Sequence, residues 1–482
     1  MILVLPWISM LAAFAMLFIP KENERLLKSL TLTSCAVSSL TVLALTLQFN
    51  PAQTGYQFLQ RFEWIPSLGI HYQAGLDGLN LTMCLLNAIV SLAVAFLSCS
   101  NKERLKSYLV FYLILTGALY GVLTSLNVFF LYLFYETTVI AVYPLISIWG
   151  SGKKEYAAIK MALFTATGAV IALYGFLVLY HQAGPQVFDL VWLRDNAALL
   201  HLSGDFQKSV IPFLLIGFGI ISSLWPFHSW APSGYGSAPA SAAMLHAGVK
   251  VGPYLILRFV IPFLPEGFRA SADCLAMLAT IGVLYAGYAA LQQKETGLML
   301  GFSGVSHLGY VFLGLSALNV TAVSGAVLLI FSHGLLTACL FGINGVLYEQ
   351  TQKRGISEYG GLAKAAPFLS VCLIMASMAS LGMPGFANFA SEVLIFIGAW
   401  RTSPVLVAFA VFGILVTALY LLRMVQSICY GPMNPALAKF KDASTWTERF
   451  PFLLLLAGLL LFGFWPQGLL KIIEPAVGVI LS

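Results

Sequence analysis

FFLYLFYETTVIAVYPLI, residues 129–146, is apolar at almost every position, yet Glu136 stands near its middle. A run of this kind is a bilayer-spanning helix, since about 18 or more apolar residues reach across a hydrocarbon core of ~30 Å. A charge at that depth costs at least ~2.5 kcal/mol on insertion scales, so such residues are kept for use and not for packing. The rest of the chain reads the same way. Of its 482 residues 59% are hydrophobic and only 9% charged, where a soluble domain carries about 25% charge. So little charge cannot cover a surface facing water. Lipid offers backbone groups no partners, and the apolar runs are continuous, not alternating. The expected fold is therefore an all-α polytopic membrane protein.

Apolar runs separated by polar breaks give about fourteen spans of ~20 residues. They lie near 2–20, 28–48, 78–98, 107–125, 127–149, 158–181, 209–227, 240–262, 271–291, 297–317, 321–347, 366–399, 404–430 and 450–472. The first has no basic leader and no clear small-residue cleavage site, so it reads as a membrane helix and not as a removed signal. Basic residues gather in alternate loops: Lys21, Arg25 and Lys28; Lys102, Arg104 and Lys106; Lys153 and Lys154; Lys294, Lys353 and Arg354; Lys439, Lys441 and Arg449. The intervening loops hold only Arg61, Arg194, Lys208, Arg269 and Arg401. The positive-inside rule makes the richer loops cytoplasmic and sends both termini to the outer side of an inner membrane, which requires an even number of spans.

The seven cysteines are scattered, without a CxxC pair or a Cys/His cluster, which argues against an iron–sulfur or zinc site. No GxGxxG follows a strand and there is no P-loop, so the chain shows no nucleotide site of its own, and no nucleic-acid partner is expected. Two runs are interrupted by proline and glycine: HSWAPSGYGSAPASA (228–242) between spans 7 and 8, and SLGMPGFANFASE (380–392) inside span 12. Interruptions at corresponding places in two halves point to inverted repeats with ion sites at the breaks; ordinary loops and kinks are the plainer alternative.

Few titratable groups lie deep in apolar runs: Glu136, Lys250, His307, His333 and Glu392, with Lys160, His246, Lys364 and Arg423 nearer ends or polar neighbours. Burial moves carboxylates and lysines toward their neutral forms. Histidine titrates near neutrality and passes a proton between its two ring nitrogens. A Glu–Lys–His–His–Glu row could thus carry protons through a hydrated path. The competing reading of each histidine alone is a helix–helix hydrogen bond. His246 precedes Lys250 by four residues, on the same helical face, and Arg423 is placed to snorkel toward the surface.

Several strings resemble a known family. FYETTVIAVYPLISIWG, WPFHSWAP, GFSGVSHLGYVFLGLSALN, FSHGLLTACLFGINGVLYE, GGLAKAAP and ASLGMPGFANFASE together are similar to the antiporter-like membrane subunits of the respiratory complex I superfamily, nearest to the subunit M (chain 4) type. The wider group includes a membrane subunit of Mrp-type antiporters and membrane subunits of energy-converting hydrogenases. The likeness runs from LDGLN (76–80) to Tyr430–Gly431, and its most specific part is VSHLG, SHGL and MPG…E combined. It implies fourteen helices with helices 7 and 12 broken. It implies N-terminal helices 1–3 over 1–106, a first inverted five-helix repeat over 107–262, a second over 271–430, and a C-terminal loop and helix over 431–482. It further implies proton-translocating roles for Glu136, Lys250, His307, His333 and Glu392, with His228, His246 and Arg423 as possible auxiliaries.

The sequence departs from that pattern at four places. The helix-7 lysine of the family, seven residues before the histidine of WPFHSW, is Ile221 here, so Glu136 loses its usual partner. The PDAH-like run is PSGYGSAP, the DIKR-like run before VSHLG is ETGL (295–298), and the arginine near the end of helix 13 is Ser427, with Arg423 one turn earlier. The resemblance implies a proton-translocating membrane-arm subunit of a redox-driven NAD(P)H/quinone oxidoreductase, flanked by other membrane subunits and coupled to a peripheral redox arm. It implies no cofactor, metal or catalytic redox centre in this chain, the donor and quinone belonging to partner subunits. Two other readings stay open: a subunit of a cation/proton antiporter or of a hydrogenase- or carbon-uptake-linked complex, and a scaffold subunit with reduced pumping because of Ile221.

Overall fold

The computed structural model describes residues 2–99, 103–196 and 202–482; Lys102, one of the basic residues read above, lies outside them. Among these residues, twelve helices are long and apolar enough to cross a membrane. They are α2 (Glu24–Gln48), α3 (Gly78–Ser98), α4 (Leu105–Thr124), α5 (Val128–Trp149), α6 (Lys154–Ala183), α8 (Gly204–Ile221), α10 (Ala240–Phe263), α11 (Pro265–Gln292), α12 (Thr296–Ser316), α13 (Val320–Thr351), α16 (Pro404–Cys429) and α17 (Trp446–Phe464). Shorter helices complete the bundle: α1 (Leu5–Met16), α7 (Leu190–Asn196), α9 (Trp230–Ser237), α14 (Pro367–Ser380), α15 (Ala387–Trp400) and α18 (Gln467–Leu481).

Side-chain caps set several helix starts. Asn127 accepts from Phe129 N at the head of α5, and Asn319 from Ala322 N at the head of α13, satisfying donors that lipid could not. The packing centre is α13. Its 32 residues are buried against α15, α12, α3 and α17 through the whole of their most apolar window. Helices α2, α6 and α16 instead turn much of their surface outward, with Leu40, Leu47, Leu163, Val170, Leu415 and Leu419 exposed. That inside-out arrangement suits a lipid solvent.

One element departs from the all-helical expectation. Gln57–Ile65 (β1) and Ile70–Leu76 (β2) form an antiparallel hairpin, joined through Pro66–Leu68 and Gly69. The hairpin lies at the end of the bundle where α4 meets α5. There Leu126 N donates to Gln73 O at 2.8 Å, and Trp64 and Tyr72 pack on Phe130. Asp189, just before α7, pins it: its carboxylate lies 3.2 Å from His71 Nε2, accepts from Arg61 Nη1 at 3.1 Å and accepts the N–H groups of Val191 and Trp192. Burial works against the charged carboxylate, but these bonds win and hold it below the usual carboxylate range. A segment with both polar and apolar faces fits this end of the bundle, where its free edge can be hydrated.

The interruptions also differ in detail from the sequence reading. Residues 228–242 are not one break. Trp230–Ser237 is helical, with Pro232 in its first turn, where a missing N–H costs little. The chain parts earlier, over Ser222–Pro226, where Ser223 has φ 55°. A second interruption lies inside α10: a π-helical turn, Ala243–Ala247, precedes Lys250, and regular helix resumes at Val251. The third falls where expected, between α14 and α15.

Candidate functional site

Lys250 stands at the interruption of α10 and is 6% exposed. It makes no ion pair among the described residues; its ammonium lies 5.7 Å from the centre of the Tyr235 ring. An unpaired ammonium in a dry interior would cost several kcal/mol, and the structure offers it space for water. A cavity of about 30 Å³ adjoins it, lined by Tyr135, Thr138, Ile221, Ser222, Tyr235 and His246 on its more polar side and by Leu119, Val249, Val251, Pro253 and Leu308 elsewhere.

From Lys250 the polar line continues into α12 and α13. The ammonium is 4.0 Å from the place a Cβ on Gly304 would occupy. Gly304 also lines a second, smaller cavity, together with Ser303, His333, Thr337 and Ser380. The rings of His307 and His333 lie 4.8 Å apart, centre to centre. Thr337 Oγ1 meets His333 Nδ1 at 3.0 Å. His307 Nδ1 faces Ser303 O at 2.9 Å, and its Nε2 faces Ser380 O at 3.2 Å and Ser380 Oγ at 3.4 Å. Ser303 Oγ in turn bonds Tyr420 Oη at 2.8 Å. Both nitrogens of His307 thus face carbonyl acceptors, and Ser380 Oγ is the neighbour that can also donate to the ring.

Beyond Ser380 the chain turns through the break between α14 and α15. Gly382 there has φ +68°, and a Cβ on it would sit 2.6 Å from Glu392 Oε2. Only glycine suits both the left-handed backbone and the carboxylate packed against it. Glu392 is 3% exposed. One turn before it on α15, Asn388 is fully buried with neither amide atom partnered among the described residues.

The other sequence-derived residues fall outside this line. Glu136 is half-buried on α5 and has no hydrogen bond or ion pair among the described residues; Ile221 faces the Lys250 cavity without supplying a charge. His228 packs against Tyr285 and Phe302, away from the histidine pair. His246 lines the Lys250 cavity with its Nδ1 unpartnered. Arg423 is exposed and donates to Leu291 O at 3.0 Å, at the end of α11, where a cation suits the helix C-terminus. The sequence reading missed the hydroxyls of Ser303, Thr337, Ser380 and Tyr420. A signal existed for two of them: Ser303 precedes His307, and Thr337 follows His333, by the four residues that stack side chains on one helix face. It also missed the Asp77–Arg258 pair, in which Arg258 is 3% exposed and donates Nη2 to Asp77 Oδ1 at 2.9 Å, Nε to Tyr254 Oη at 3.3 Å and Nη1 to Tyr56 Oη at 3.2 Å. This pair lies at the hairpin end of the bundle, tying the head of α3 to the tail of α10.

Known proteins share this architecture. The family described as "NADH:quinone oxidoreductase/Mrp antiporter, TM" matches residues 125–417. NAD(P)H-quinone oxidoreductase chain 4 1 of Synechococcus elongatus is 33% identical over 481 residues, spanning 96% of this chain and 89% of that protein. NADH-quinone oxidoreductase subunit M of Rickettsia bellii is 29% identical over 481 residues, spanning 98% and 96%. Among solved structures, a chain of respiratory complex I from Thermus thermophilus superposes with a TM-score of 0.89 at 26% identity, covering 100% of both chains. A chain of the Mrp complex from Dietzia sp. gives 0.86 at 18% identity, covering 100% of this chain and 99% of that one, a likeness of fold alone. With its fold and its sequence both shared, this chain is a member of the NADH:quinone oxidoreductase/Mrp antiporter transmembrane family.

Proposed function

We propose that this chain is a proton-translocating subunit in the membrane arm of a redox-driven NAD(P)H/quinone oxidoreductase. The observation that carries the reading is the buried line Lys250–Gly304–His333/His307–Ser380–Glu392, which threads two helix interruptions through the most deeply packed part of the bundle. Lys250 and Glu392 are its proton-binding ends, and the histidine pair is the relay between them. Chemistry in partner subunits shifts the protonation of Lys250 and Glu392 electrostatically; the reductant and the quinone are bound in those partners, which flank this chain on both sides and connect it to a peripheral arm.

The chain divides into two inverted five-helix repeats, 107–262 and 271–430. The α8/α9 and α14/α15 interruptions, each in the fourth helix of its repeat, support that division. Alternation of the helices gathers Lys21, Arg25, Lys28, Lys153, Lys154, Lys353, Arg354, Lys439 and Lys441 at the end opposite the hairpin, which supports a cytoplasmic face there and outward-facing termini in an inner membrane.

The test is Glu392→Gln, and separately Lys250→Met, in the assembled complex, with proton uptake into inverted vesicles measured per quinone reduced. Both variants are expected to lose most uptake; uptake at the wild-type ratio in both would overturn the reading. The partnerless Glu136 and the apolar Ile221 favour one second reading, a scaffold subunit with reduced pumping, which the same experiment separates by the wild-type ratio itself.

A further inference from the structure

We propose that the cavity between α5, α8 and α10 is a bound-water site that delivers protons to Lys250, with the Tyr135 hydroxyl as the group that hands them over. The proposal rests on the proton-translocation reading and adds the route into Lys250. The cavity measures about 30 Å³, room for roughly two waters on a measure where each needs ~10–15 Å³. A water held there needs two to four polar partners, and they are present. Tyr135 Oη and His246 Nδ1 are both buried without a hydrogen-bond partner, and Lys250 lines the same space. Thr165, on the neighbouring α6, gives its own proton to Met161 O at 2.8 Å or Ala162 O at 3.3 Å, so it can meet the tyrosine only as an acceptor and the phenol oxygen stays open to a water donor. Thr138 donates to Tyr135 O at 2.7 Å, which leaves its oxygen as an acceptor for water in the same cavity.

The walls direct the path. Leu119, Val249, Val251, Pro253 and Leu308 are apolar, and Ile221 neither donates nor fills the space as a longer side chain would. That leaves the waters, the Tyr135 and Tyr235 hydroxyls and His246 as the groups able to pass a proton inward, and of the two hydroxyls Tyr135 lies on the helix that carries Glu136. Tyr135 precedes Glu136 on α5, so one helix presents a carboxyl at the half-buried surface and a phenol in the cavity, about 100° apart. In the transfer, a hydronium proton is accepted by the phenol oxygen as its own O–H proton leaves to the next water, which protonates the neutral Lys250 amine. The phenol ends as it began after its hydroxyl rotates, and one proton has moved from the incoming water to Lys250; only O–H and N–H bonds form and break.

Tyr135→Phe keeps the ring and removes the hydroxyl. In inverted vesicles carrying the assembled complex, it should lower proton uptake per quinone reduced at least fivefold, and adding Ile221→Lys should restore a substantial part by placing an amine in the same cavity. Glu392→Gln is measured alongside. If Glu392→Gln collapses uptake while Tyr135→Phe leaves it at wild type, the Tyr135 route is overturned and the proton-translocation reading stands. A density map of the wild-type complex resolving waters supplies a measurement that needs no variant. Ordered water within hydrogen-bond reach of Tyr135 Oη, His246 Nδ1 and Lys250 Nζ is the expected result; a dry cavity overturns the proposal whatever the uptake assays give.

Discussion

Between Ser303 and Ser380 the polar groups meet directly, at distances from 2.8 to 3.4 Å. Between Glu136 and Lys250 no such chain exists: the carboxyl is partnerless among the described residues, and a cavity with an isoleucine in its wall lies beside the amine. Both regions belong to one scaffold and both adjoin an interrupted helix. The difference teaches that the scaffold tolerates two ways of holding polar groups inside a membrane bundle. In one, side chains on α12, α13 and α14 are held in register by helix packing. In the other, the helices leave polar atoms facing a space and solvent must complete the contact. The first is rigid and costly to perturb at any member. The second depends on volume, so a change of side-chain size acts as strongly as a change of charge.

The largest expected effect follows from breaking the rigid region at its end. Glu392→Gln should lower proton uptake per quinone reduced by more than ~10-fold, since a positioned acid–base group commonly contributes 10²–10⁴; a pH-sensitive dye in inverted vesicles reads it. Next comes Gly382→Ala. Its Cβ would collide with the Glu392 carboxylate, and its left-handed backbone costs of order 1 kcal/mol for any other residue, so uptake should fall several-fold although no titratable group has changed. Ile221→Lys sharpens the comparison from the other side: it sets an amine in the wall of the water-dependent cavity, and uptake should rise about two- to fivefold. Thr337→Val removes one neutral hydrogen bond to His333, worth about 0.5–1.5 kcal/mol, and should slow uptake by no more than about tenfold.

The smallest effect on transport belongs to Asp189, far from either region. Asp189→Asn should leave uptake unchanged while making the 57–76 hairpin more easily cleaved by protease at neutral pH, because charge-assisted bonds contribute about 1.5–3 kcal/mol each. Because the folded carboxyl titrates below its ordinary range, its stabilisation is complete above the unfolded pKa of about 3.9 and disappears as pH falls through the lower folded value. The variant and the wild type should therefore converge in protease sensitivity only in strong acid.

What the sequence made legible was the charge. Glu136, Lys250, His307, His333 and Glu392 stand out because lipid makes an ionisable group expensive; His307 and His333 lie side by side, Lys250 lies near Gly304 on the His307 helix, and Glu392 lies against the Gly382 turn. The groups that connect them were hidden for the converse reason. Serine, threonine and tyrosine are ordinary in membrane helices, where they bond back to their own carbonyls, as Thr116 does to Tyr112 O and Thr280 to Ala276 O. Nothing in composition separates those from Ser303 or Thr337; only the four-residue spacing to a histidine does. The span pattern was legible from hydropathy, whereas the hairpin was not, because its residues fall in a stretch read only as a gap between spans. The expected break between spans 7 and 8 falls at Ala238–Pro239, whereas the interruption over Ser222–Pro226 went unread because Pro232, Gly234 and Gly236 look more disruptive than Ser222 and Ser223, and proline in a first turn breaks nothing.

The length of α13 has a consequence for how the subunit meets different bilayers. At 1.5 Å per residue its 32 residues extend about 48 Å, well beyond a hydrocarbon thickness of ~30 Å. A helix so mismatched with its lipids would tilt or distort the bilayer around it. With protein packed around its whole apolar middle, α13 is insulated from that adjustment there. Longer or shorter acyl chains should reorient peripheral helices such as α2 and α16, while the height of His333 above the midplane, and of the ring stacked beside it, stays where the surrounding helices set it.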